Sequence, residues 1–61
     1  MLLKYLGEEE FIGEEVVGSE KNHIYDCTVI TSKDTVRVHA PRDLHTYPSF
    51  AEMLKEWEEV N

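Results

Sequence analysis

Sixty-one residues, 41% of them hydrophobic and 31% charged, leave room for one domain with a small core, because chains of this size bury only about 60% of the surface their unfolded form exposes. Thirteen acidic against six basic side chains give a formal net charge of -7, which repels a phosphate backbone or an anionic membrane at long range and disfavours direct nucleic-acid binding. Cys27 is the only cysteine, so no intrachain disulfide reinforces the core, and a reducing cytosol is the expected compartment.

In chain order, Leu2 to Leu6 has strand-like content, and Lys4, Gly7 and the following glutamates cut it short of a secretory or membrane-spanning run. Phe11 to Val17 reads as a second strand with a bulge at Gly13. A helix over Glu8 to Val17 competes with it, but Gly13 would cost about 1 kcal/mol there and the apolar residues make no wide stripe. Gly18 to Asn22 reads as a loop. Ile24 to Thr31 and Thr35 to Ala40 are rich in β-branched and aromatic residues around the polar turn Ser32-Lys33-Asp34, which predicts a β-hairpin. Alternation puts Tyr25, Cys27 and Val29 on one face of its first strand, and Val36, Val38 and Ala40 on one face of its second. Pro41 should end that strand, with Arg42 to Tyr47 as a loop. From Ser49 to Val60 the pattern predicts an amphipathic helix. Ser49 caps it, Glu52 closes a capping box, and Phe50, Met53, Leu54 and Trp57 fall at i, i+3, i+4 and i+7. The expected architecture is α+β: an antiparallel sheet of three or four strands, open or barrel-like, with the C-terminal helix packed on one face.

Four side chains of zinc-binding type occur, His23, Cys27, His39 and His45, but none forms the closely spaced pair that structural zinc sites use. No cofactor is expected. Cys27 on an apolar face of an acidic chain lacks the electropositive surroundings of a nucleophile, and Asp43 with His45, two apart in a loop, reflects turn chemistry more readily than acid–base catalysis. No catalytic residue is assigned, and the chain is read as a non-enzyme.

The acidic coat is the most unusual feature. Residues 7 to 20 hold six acids and no base, and Glu58 and Glu59 stand where a helix dipole opposes negative charge. Solubility accounts for such a coat. So does a partner with a basic surface, for which Glu14, Glu15, Glu56 and Glu59 are the candidate contacts. Arg42 and Tyr47, of residue types enriched at binding hot spots, are the candidate anchors. A homodimer burying a face with Ile24 and Ile30 is left open.

Lys4-Tyr5-Leu6-Gly7, Phe11-Ile12-Gly13, Tyr25-Asp26-Cys27 and Val36-Arg37-Val38 together resemble the very short, mostly uncharacterised β-rich proteins of bacteriophages and Gram-positive bacteria. The resemblance implies a small, bent β-sheet or barrel without assigned activity. The capped helix departs from it and favours an open sheet. The expected function is an accessory or inhibitory protein-binding protein, which the resemblance links to a phage or mobile element. Two alternatives stand beside it: an acidic DNA mimic that blocks a nucleic-acid-binding protein, and a metal-stabilised module.

Overall fold

A computed structural model describes all residues, Met1–Asn61, as eight short strands and one turn of helix. The strands are β1 (Leu2–Tyr5), β2 (Glu10–Ile12), β3 (Glu15–Val17), β4 (Ile24–Asp26), β5 (Thr28–Thr31), β6 (Val36–Ala40), β7 (Asp43–Tyr47) and β8 (Trp57–Glu59), with α1 (Phe50–Met53) between the last two. All pairings are antiparallel. One sheet has the order β4-β1-β8, another β5-β6-β7, and β2-β3 is a separate hairpin. These are small open sheets and not a closed barrel.

The predicted hairpin of residues 24 to 40 forms only in its distal half, where Thr28 to Thr31 pairs with Val36 to His39. Its proximal half, β4, belongs to the other sheet. Cys27 is the hinge between them: its N–H donates to the Met1 carbonyl at 2.8 Å, and beyond it the chain leaves β1 for β6. The alternation is as predicted, with Cys27, Val36 and Val38 buried and Tyr25, Val29 and Ala40 packed against them.

Three expectations are corrected. Phe11 to Val17 is a tight hairpin and not one bulged strand, because Gly13 at φ +64° takes the left-handed turn conformation and reverses the chain. Arg42 to Tyr47 is mostly strand, since Pro41 and Arg42 form a two-residue connection that leads straight into β7. Pro41 ends β6 as expected, but its fixed φ suits the turn that begins the next strand. The largest correction concerns the C-terminus. Ser49 does cap a helix, accepting from the Glu52 N–H at 3.3 Å, but α1 stops at Met53 and Trp57 to Glu59 is extended.

The physical reason is the unpaired edge of β1. A helix of two or three turns is marginal by itself, whereas β8 completes the sheet: Leu6 N–H donates to the Glu56 carbonyl at 2.7 Å and Val60 N–H to the Leu2 carbonyl at 3.0 Å. Trp57 lies opposite Tyr5, and Glu58 opposite Lys4. The helix is therefore a single turn, which adds Met53 to the core and does not extend as an amphipathic rod across a sheet. Phe50 and Leu54, expected in its buried stripe, are 52% and 56% exposed, while Met53 and Trp57 are core.

That core comprises Leu3, Tyr5, Cys27, Val36, Val38, Tyr47, Met53 and Trp57. Trp57, fully buried, lies 4.8 Å from the Tyr5 ring centroid to centroid. Its Nε1–H donates to Tyr47 Oη at 2.8 Å, and Tyr47 in turn donates to Glu56 Oε1 at 2.7 Å. Each buried polar atom of this relay is satisfied, so its burial carries no desolvation penalty of the unpaired kind.

Gly18 joins β3 to the rest of the fold at φ +78°, and a Cβ there would stand 2.5 Å from Asp43 Oδ2. Gly18→Ala should therefore cost about 2 kcal/mol, from the left-handed backbone and displacement of Asp43. Gly13→Ala, with open space around it, should cost only the backbone part, about 1 kcal/mol. Urea midpoints of the two variants compare the costs.

Candidate functional site

Shortening the helix leaves an apolar groove. It is a cavity of about 430 Å³ lined by Met1, Leu3, Val29, Thr31, Phe50, Met53, Leu54 and Glu59. Each element contributes for a local reason. β1 and β5 turn Leu3 and Val29 inward by strand alternation, and α1 presents Phe50 and Leu54, one helical turn apart, on the same side as buried Met53. Glu59 lies directly opposite Leu3 on β8, and it has the only charged side chain of the groove; the Met1 ammonium is paired with Asp26 Oδ1 at 3.1 Å.

The candidate contacts scatter. Glu14 and Glu15 are exposed on the β2–β3 hairpin, and Glu59 is exposed on the groove. Glu56 is half-buried and holds the Tyr47 hydroxyl. Arg42 is exposed but occupied: its Nη2 donates to the Val16 carbonyl at 3.2 Å and its Nη1 lies 3.6 Å from Glu20 Oε1, tying β3 to the β6–β7 turn. Tyr47, expected as an exposed anchor, is 8% exposed and belongs to the core. Once Arg42 to Tyr47 is a strand, alternation sends Tyr47 inward with His45. Burial, then the Glu56 hydrogen bond, drive its hydroxyl pKa upward, so the group stays protonated.

Sequence reasoning missed Phe50, Leu54, Met1, Val29 and Thr31 as groove residues. A signal was present: Glu58 and Glu59 oppose the dipole of a long helix, and that conflict disappears when they sit on a strand.

Asp43 and His45 do meet. Nε2 of His45 lies 2.9 Å from Asp43 Oδ2, off the axis of a hydrogen bond, so this buried nitrogen stays unsatisfied. The ring packs among Tyr5, Tyr47 and Trp57 at centroid distances of 5.4, 6.2 and 5.5 Å. The pair lies outside the groove. His23, Cys27, His39 and His45 do not converge, and no group of three or more His, Cys, Asp or Glu has metal-binding geometry. Cys27 is buried, and burial raises its thiol pKa, which leaves the thiol protonated and a poor nucleophile.

Comparison with models of protein families, with curated proteins and with solved structures returns no match, so the groove and its surroundings carry the functional reading by themselves.

Proposed function

We propose that this chain is a non-catalytic protein-binding domain that receives an apolar, basic segment of a partner protein in the groove between β1, β5, α1 and β8. One observation carries the reading. Phe50 and Leu54, each more than half exposed, flank a concave apolar surface whose only charged side chain is Glu59, in a molecule of net charge -7. Concave apolar surface with few polar groups is the usual form of a binding site, and the surrounding negative field steers a cationic partner toward it. An accessory or inhibitory protein of a phage or mobile element is the biological form that the sequence resemblance suggests.

Leu54→Asp tests this reading. Leu54 is exposed, so the substitution should change stability by no more than about 0.5 kcal/mol. It places a second carboxylate in the groove and should reduce capture of the partner from a host lysate at least tenfold. Capture that survives Leu54→Asp would refute groove docking. If such capture also collapses between low and moderate salt, it would favour mimicry of nucleic-acid phosphates. Glu8, Glu9, Glu10, Glu14 and Glu15, gathered in and beside the β2–β3 hairpin, would then be the contact surface.

A further inference from the structure

The hydrogen-bond register of β5 determines how a segment can enter the groove. Ser32 N–H donates to the Thr35 carbonyl at 2.9 Å, and bonded and non-bonded pairs alternate along an antiparallel ladder. The bonded pairs are therefore Ile30 with Arg37 and Thr28 with His39, while Val29–Val38 and Thr31–Val36 are non-bonded. β6 agrees with this assignment. Its residues Val36, Val38 and Ala40 turn their backbone groups toward β7, through the tight connection at Ala40 and Asp43.

The N–H and C=O groups of Val29 and Thr31 consequently point away from β6, and no backbone or side-chain partner meets them. The same two residues line the groove. On the β1 side, the rung between Cys27 and Met1 is the last before this open stretch. β5 is also the only strand without an Asp, Glu, Lys or Arg. Edge strands are ordinarily protected by charge, proline or a bulge, and this edge has no such protection.

We infer that the groove is filled by strand addition: an extended partner segment pairs with Val29 and Thr31 of β5, inserts two apolar side chains spaced i and i+2, and places a Lys or Arg against Glu59. The inference deepens the proposed function and rests on it. Side chains directly opposite Val29 and Thr31 fall on the groove side of the sheet, and the residue between them lies beside exposed Ile30. The rungs supply affinity and the alternate pockets supply selectivity. Glu59 and the net charge of -7 select a cationic segment and disfavour a second copy of this acidic chain.

The test uses a displayed library of random decapeptides panned against the full chain, followed by synthesis of the best binder. Enriched peptides should carry apolar residues two apart with a neighbouring Lys or Arg, and panning against Glu59→Lys should enrich Asp or Glu there instead. Thr31→Pro removes an outward N–H and spares the β6 rungs, a placement edge strands tolerate, and should weaken the binder at least tenfold. N-methylation of the binder's alternate amides should do the same in one phase of the alternation and not in the other, a readout independent of how Thr31→Pro folds. If Leu54→Asp abolishes binding but every N-methylated peptide binds within threefold of the parent, strand addition falls and groove docking stands. If no peptide prefers the native chain over Leu54→Asp, both fall. A dimer that dissociates on Thr31→Pro would put a second copy on this edge and overturn the partner assignment.

Discussion

Trp57→Ala is expected to leave the chain largely unfolded at 25 °C. Trp57 is 0% exposed, packs against Tyr5 and His45, and ends the relay through Tyr47 to Glu56. Truncating a buried tryptophan costs about 3–5 kcal/mol. At roughly 0.05–0.15 kcal/mol per residue, a domain of this size has a total stability of a similar amount. Trp57 is the largest side chain of the eight-residue core, and Tyr5 and Tyr47 both lean on it for packing or a hydrogen bond. Trp57→Phe keeps a ring in place but leaves Tyr47 Oη without its donor, and should cost about 1–3 kcal/mol. Urea titrations followed by far-ultraviolet circular dichroism distinguish these outcomes. A cooperative Trp57→Ala transition within 1 kcal/mol of the parent would contradict the packing described.

Stability should also fall steeply in alkali. Burial raises the Tyr47 and Tyr5 hydroxyls above their ordinary 10.0, with Glu56 adding to both, and burial raises the Cys27 thiol above its ordinary 9.0. Each group keeps its proton longer in the folded chain than in the unfolded one. Well below pH 9 all three are protonated in both states and contribute no pH dependence. Above pH 9 for Cys27, and above pH 10 for the tyrosines, the folded state binds more protons, so stability declines as pH rises toward the folded values. The slope is at most about 1.4 kcal/mol per pH unit for each group. Urea midpoints between pH 8 and 11.5 should therefore be flat at first and then drop. Tyr47→Phe should be less stable at pH 8, because Glu56 loses a donor, yet show a shallower alkaline decline. Equal slopes for parent and variant would show that Tyr47 ionises freely in the folded chain.

The central strands were legible because each carries its own signal. β6 alternates Val36, Val38 and Ala40 against Arg37 and His39, and Tyr25, Cys27 and Val29 alternate across the hinge. What the sequence concealed were decisions between sheets. Nothing local in Ile24 to Thr31 says that the strand changes partners at Cys27. At the C-terminus, residues with period 3.6 over one and a half turns also serve period 2: Met53 and Trp57 are inward in both readings, so the stripe alone could not distinguish helix from turn-and-strand. The free edge of β1 decided it, and that is a tertiary fact. Tyr47 shows the cost of one wrong element, since as a loop residue it reads as an anchor and as part of β7 it is core. Glu59 was named as a contact for its charge, but its place on the groove follows only from β8.

The account depends on β5 having an open edge beside the groove. Amide hydrogen exchange of the dilute free chain, resolved residue by residue by nuclear magnetic resonance, tests this most directly. Thr28 and Ile30 should exchange slowly and Val29 and Thr31 rapidly, following the ladder. Slow exchange at Val29 and Thr31 as well would mean that the edge is already covered and would contradict the account.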